Sequence, residues 1–230
     1  MKEARVGHAP TTLVVVGAGG HGRELIDVVE AVNAVCPTYE LLGVLDDNEP
    51  DPDRLRRRGV RHLGPVRLLA EIDAAYVIGV GAPAVRRAVD SMATNWRRRA
   101  ATLVHPRAVI GRDVLLGPGS VVCALASITT NVRTGRHVHL NIGATVAHDC
   151  QLGNYVTLSP GAHVSGTVTL EDDVTIGTGA TVIQGLTVGI GTTVGAGAAV
   201  VRSLPAGVVA VGVPARPRAA VIAQQNPADS

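Results

Sequence analysis

The sequence predicts two regimes in one chain, a small α/β unit on a parallel sheet followed by a repeat architecture. From Ile110 to Val200 every sixth residue is Ile, Leu or Val, with Thr134 the one exception. That period is neither the 3.6 of a helix nor the 2 of a lone strand. Ahead of His105 and Pro106, short apolar strands alternate with amphipathic helical stretches, as in a parallel sheet. Beyond them helical patterning stops.

Composition limits what can be built. Of 230 residues 46% are hydrophobic, yet there is no Phe and one Trp, so the core must be aliphatic. The 27 Gly and 13 Pro follow no collagen period and imply many tight turns. A net charge of +2, with no basic run interleaved with aromatics, argues against nucleic acid. The arginine-rich stretches 54–58 and 96–99 read as solvated helix faces. Cys36, Cys123 and Cys150 form no CxxC pair, which suits reduced thiols and a cytoplasmic location. Residues 1–11 lack the apolar core of a signal peptide, and no long apolar run follows, so no membrane insertion is expected.

In chain order, residues 1–11 form a loose arm and 12–16 a short apolar strand. The glycine loop GAGGHG follows at 17–22. Residues 23–34 make an amphipathic helix with Leu25, Ile26, Val28, Val29 and Val32 available for burial. A second strand, 41–45, ends in Asp46, Asp47 and Asn48. Residues 66–72 read as a helix, 75–80 as a strand and 84–98 as a helix. Gly17, Gly19 and Gly22 satisfy GxGxxG between strand and helix, and the acidic pair ends the next strand, where a dinucleotide fold sets its ribose acid. NAD is therefore one reading, although about 90 residues hold only one mononucleotide-type half. Loop amides at a helix N-terminus hold phosphate in either case. The sequence GVGAP at 79–83 supplies another wall through Gly81.

In the second region, counting the apolar residue as the first of six, Gly takes the second place at 111, 117, 135, 153, 177, 189 and 195. The fifth place is mostly small or β-branched, as at Ala144, Cys150, Ala162 and Val168. The first residue points inward, the fifth fills a narrow interior, and the third and fourth turn the chain. This pattern resembles the hexapeptide-repeat family, whose fold is a left-handed parallel β-helix. The resemblance implies three hexads per triangular coil, so residues 18 apart stack at about 4.8 Å. It gives roughly five coils, and no insertion breaks the phase.

A β-helix can be a passive scaffold, so chemistry has to come from residues that depart from the repeat. His148 and Asp149 take the third and fourth places, at an outward corner where packing needs no imidazole. A histidine can act there as a base near neutral pH and a carboxylate can orient it. A structural histidine beside a solvated carboxylate is the plain alternative. Gly166 stacks one coil above, where a missing side chain would let a ligand reach backbone N–H. A base beside an open backbone donor is what acyl transfer requires.

The stretch NIGATVAHDCQLGNYVTLSPGA at 141–162 is similar to the core motif of bacterial sugar acetyltransferases. That group includes sialic-acid O-acetyltransferases and N-acetyltransferases of nucleotide-linked 4-amino sugars, and the likeness runs from residue 14 to 216. It implies His148 as general base assisted by Asp149, Asn141 in the substrate pocket, and Gly166 offering its amide to the acetyl carbonyl. Thr157 stands where some members carry a second histidine that contacts coenzyme A; a hydroxyl can donate one hydrogen bond but carries no charge. The sequence VGVPAR at 211–216 resembles the loop beside the pantetheine arm, with Arg216 and Arg218 toward coenzyme A phosphates. An ordinary basic tail is the other reading. In that family the glycine loop and acidic pair hold a nucleotide sugar, which makes Gly19, Gly20, His21, Asp46, Asp47 and Gly81 substrate contacts.

The resemblance thus implies an acetyl-CoA-dependent transferase acting on the amino group of a nucleotide-activated amino sugar, with no covalent enzyme intermediate. A sugar hydroxyl is the alternative acceptor. The expected domains are 1–104, a Rossmann-like nucleotide-sugar-binding domain; 105–218, the β-helix acetyltransferase domain; and 219–230, a tail. The family's assembly implies a homotrimer with sites between subunits, His139 facing a neighbour's His148. Two other classes compete: a non-catalytic nucleotide-sugar scaffold and a zinc enzyme of the γ-carbonic-anhydrase type. The latter needs three converging histidines. His105, His137, His139, His148 and His163 include no pair with the five-residue spacing it uses, so no metal is expected.

Overall fold

The computed structural model describes residues 9–218; residues 1–8 of the expected arm and the 219–230 tail lie outside the described residues. The chain divides into two compact units, the first ending at Pro106 and the second starting at Arg107.

The first unit is a four-stranded parallel sheet in the order β3-β2-β1-β4. Its strands are β1 (Thr11–Val16), β2 (Tyr39–Leu45), β3 (His62–Gly64) and β4 (Ala75–Ile78). The apolar run Leu13, Val14, Val15 and Val16 is buried throughout, as a parallel strand covered on both faces requires. Helix α1 (Gly20–Val35) buries Leu25, Ile26, Val28 and Val29, and α3 (Pro83–Asn95) buries Val89 and Ala93. The second strand and both long helices match the periodicity within a few residues at their ends.

Three local details differ from the sequence reading. The stretch expected as a helix over 66–72 is a 3-10 turn, Val66–Ala70, in which Leu68 N–H bonds the Pro65 carbonyl. Its turns close through i→i+3 bonds, Leu68 to Pro65 and Glu71 to Leu68, with one i→i+4 bond from Ile72 N–H to the Leu68 carbonyl at its end. A short helix, α2 (Pro52–Arg56), and strand β3 carry too few residues to show a period; Asp51 caps α2 and Pro52 starts it. Nor are the arginine stretches simply solvated. Arg58 bridges Asp27 at 2.6 Å and Glu30 at 2.7 Å on α1, and Arg98 donates to the Ala70 carbonyl at 2.7 Å.

The second unit is a left-handed parallel β-helix of two-residue strands. Pairing runs at a constant offset of 18: Thr145 with His163, Val146 with Val164, and Val182 with Val200. First-place residues such as Val146, Leu158 and Val164 and fifth-place residues such as Ala144, Cys150 and Val168 are buried, as the register requires. Burial pushes the Cys150 thiol above its ordinary pKa, as expected for an interior cysteine.

The corner has a conformational rule the sequence reading did not extract. Every fourth-place residue from Asp113 to Gly197 has positive φ, whether Gly or not. Seven are glycines, at 119, 143, 161, 179, 185, 191 and 197, and eight are not, among them Asn131 (φ 56) and Asp149 (φ 60). Asn and Asp tolerate this left-handed region better than most residues. The phase holds through Val200 and shifts in the last coil beyond it. Val188 bridges Leu204 and Thr193 pairs with Val209, an offset of 16. There the Ser203 hydroxyl accepts the Thr187 N–H, the place of a backbone carbonyl in the full coils, and two residues drop out. The unit closes with Arg216–Arg218 returning antiparallel to Val209–Val211.

Candidate active site

The expected site residues fall into two groups, one in each unit. In the first unit the ends of β1, β2 and β4 open into a cleft of about 410 Å³. Gly19, Gly20, His21, Asp46, Asp47 and Gly81 all line it. Glycine is required where α1 crosses the strand ends: a Cβ on Gly22 would lie 1.8 Å from the Gly17 carbonyl oxygen, and one on Gly79 would lie 2.4 Å from the Gly22 Cα. A Cβ on Gly19 or Gly20 would meet nothing, so here the loop is open. Gly19 is the N-cap of α1 and supplies no capping side chain, which leaves the first amides and the positive helix end to a ligand.

The two aspartates have different duties. Asp46 accepts the Ala18 N–H at 2.7 Å with one oxygen and the Asn48 N–H at 2.9 Å with the other, so it ties the glycine loop to the end of β2. Asp47 accepts the Val66 N–H at 2.8 Å through Oδ1. His21 faces Glu24 at 3.0 Å within the first turn of α1. The fully buried Arg86 donates to the carbonyls of Val80 and Gly81 at 3.1 and 2.7 Å, holding that wall in place. Arginine in an amphipathic helix ordinarily signals surface, so sequence gave no sign of this role.

In the second unit His148 and Asp149 stand exposed on one corner. His148 Nδ1 lies 2.7 Å from Asp149 Oδ2, and Asp149 Oδ1 accepts from Asn131 Nδ2 at 2.5 Å. The Asn131 hydrogen bond, then that of His148, holds the Asp149 carboxyl below the usual carboxylate range. An ionised carboxylate only accepts, so Nδ1 is the donor, and in the neutral ring Nε2 is the nitrogen left without a proton. Asn131 was not among the expected residues, yet its signal is simple: it sits 18 residues before Asp149, one coil below.

Gly166 sits one coil above, and its missing side chain makes room for the imidazole. A Cβ there would lie 2.5 Å from His148 Cε1 and 2.6 Å from Nε2, so the imidazole occupies that space and Gly166 is buried beneath it. Asn141 donates through Nδ2 to the Leu158 carbonyl at 2.8 Å, and Thr157 lies in the strand column between His139 and Thr175. His139 is 1% exposed, which corrects the expectation that it faces a neighbour: it has no surface left to offer. Arg216 is exposed in the closing strand. Among the described residues no group of three or more His, Cys, Asp or Glu side chains converges.

Residues 12–92 match the model for the PglD N-terminal domain. The acetyltransferase domain of PglB from Neisseria gonorrhoeae, solved with acetyl coenzyme A, superposes with a TM-score of 0.82 at 34% identity, over 91% of this chain and 100% of that one. The chain belongs to the hexapeptide-repeat family of bacterial sugar acetyltransferases. A second family member, PerB from Caulobacter crescentus, solved with CoA and GDP-perosamine, gives a TM-score of 0.83 at 30% identity over 90% and 97% of the two chains. The GDP-perosamine N-acetyltransferase of Escherichia coli O157:H7 is 32% identical over 143 residues, 60% of this chain; the chain spans 62% of that relative's length. Both halves of the architecture are therefore family features, the glycine-loop unit as well as the repeat.

Proposed function

We propose that the chain transfers the acetyl group of acetyl-CoA to the amino group of a nucleotide-linked amino sugar, with His148 as general base. The observation that carries this reading is the hydrogen-bonded series Asn131–Asp149–His148 on an exposed corner, which engages the ring through Nδ1 and leaves Nε2 to serve as the base. The neutral amine attacks the thioester carbonyl while Nε2 removes its proton; the tetrahedral oxyanion collapses, expels the coenzyme A thiolate, and the thiolate takes the proton back from the imidazolium. Asp149 stabilises that imidazolium without itself being protonated.

In this proposal the cleft of the first unit holds the nucleotide, its phosphates on the open amides at Gly19 and Gly20 with His21 alongside. Asp47, Gly81 and the loop held by Asp46 shape the base and ribose side, and Asn141 lies toward the sugar. Gly166, Thr157 and Arg216 form the coenzyme A side. Support comes from relatives: PerB was solved with CoA and GDP-perosamine, and PglB with acetyl coenzyme A. The working unit is proposed as a cytoplasmic homotrimer with its sites between subunits. No described helix is long and apolar enough to cross a membrane.

The test is acetyl-CoA consumption against a panel of nucleotide 4-amino sugars, with mass spectrometry of the products. One panel member is expected to gain an N-acetyl group. His148→Ala should lower kcat by about 10²- to 10⁴-fold while nucleotide-sugar and coenzyme A binding persist. Undiminished turnover by that variant would remove His148 as the base, and an acetylated hydroxyl would move the acceptor to the sugar oxygen.

A further inference from the structure

We infer that Asn131 is a positioning residue of the acetyl-transfer reaction, one that sets the histidine tautomer through Asp149 without touching substrate. The inference rests on the reading of His148 as the base. Asn131 and Asp149 are the same hexad place in successive coils, and both have the left-handed backbone of that corner, φ 56 and φ 60. Their side chains therefore leave the corner in the same direction, and the amide of one meets the carboxylate of the next at 2.5 Å.

The chemistry of the pair is directional. Asn131 donates from Nδ2 to Asp149 Oδ1, and a donor on that oxygen favours the ionised carboxylate. Occupying Oδ1 turns the plane of Asp149 and leaves Oδ2 aimed at His148 Nδ1, 2.7 Å away. Asp149 is half exposed, with 47% of its side chain open to water. Without the amide it would rotate freely and release the ring, and the imidazole would sample the form protonated at Nε2, which cannot accept the amine proton. Asn131 thereby keeps the carboxylate charged, oriented and in contact with the ring.

A simple alanine substitution would confuse lost chemistry with backbone strain at φ 56, so the deletion is made as Asn131→Gly, which accepts that conformation. The isosteric Asn131→Asp keeps the bend and sets a carboxylate against Asp149. The direct readout is the ¹⁵N spectrum of the His148 ring in the full-length protein at neutral pH. Wild type is expected to show Nδ1 protonated and Nε2 bare; Asn131→Gly is expected to show exchange between both tautomers. In the same variant kcat should fall about tenfold, the scale of a charge-assisted hydrogen bond, with KM for acetyl-CoA and nucleotide sugar unchanged. Asn131→Asp should also lose activity, because an ionised carboxylate there repels Asp149 instead of donating to it.

An unaltered tautomer with unaltered kcat in Asn131→Gly overturns the inference, as does a loss confined to KM. Should Asn131→Gly fail to fold, the spectrum and kcat of Asn131→Asp decide by the same criteria. If the ring changes tautomer as expected but wild type acetylates no nucleotide amino sugar, the positioning role stands and the reaction reading fails.

Discussion

At the scale of single residues, the corner proposed as active is a problem of space before it is one of charge. The imidazole lies where a Gly166 side chain would be, 2.5 Å from its ideal Cβ. Gly166→Ala must therefore swing the ring away from Asp149. Misplacing a catalytic group by about 1 Å costs on the order of 10²-fold in rate, so kcat of that variant should fall by about this factor with the melting curve little changed; steady-state kinetics beside a thermal scan checks both. His148 and Asp149 were legible because they interrupt a pattern whose interior has no use for them. Asn131 was not, since Asn in a turn looks like ordinary turn chemistry until the coil above is considered. Asp46 shows the converse: an acidic side chain at the end of β2 reads as a ligand contact, whereas both its oxygens accept backbone N–H groups of the protein itself.

At the scale of elements, periodicity was a good guide where segments were long. Helices α1 and α3 and strands β1, β2 and β4 all show in the sequence, because each carries enough apolar residues to display its period. Val66–Ala70 shows as a helical stretch but not as a 3-10 turn, and α2 and β3 do not show, being five and three residues long and held mainly by caps and neighbours. One helix end offers a measurable gain. After α3 the Arg98 N–H bonds the Ala93 carbonyl at 2.8 Å and the Arg97 N–H bonds Thr94 at 2.9 Å, with Arg97 at φ 58. That is a Schellman ending with a bulky residue where glycine is preferred. Arg97→Gly should raise stability by about 0.5–1 kcal/mol, visible as a melting-temperature increase of about 2–4 °C.

At the scale of the whole molecule, the two units solve burial differently. The sheet unit gathers Val14, Val16, Leu45, Leu69, Tyr76 and Ile78 into one apolar cluster. The β-helix instead threads its apolar residues through a narrow interior, one or two per hexad. Large apolar side chains remain exposed on the second unit, Leu115 at 61% and Ile190 at 53% among them. A homotrimer should appear in light scattering as three times the 23.6 kDa chain; a monomer of full activity would exclude shared sites.

The left-handed bend at each fourth place has a consequence for how such a protein can change. Inward places answer to packing and bend places to backbone geometry, while the third place on the His148 edge fills neither, apart from Gly166, which the imidazole keeps small. His148, Gly166, Gln184 and Arg202 occupy that place in consecutive coils along one edge. Selection can therefore rewrite that edge one residue at a time, retuning what is bound and acetylated without renegotiating the fold beneath it.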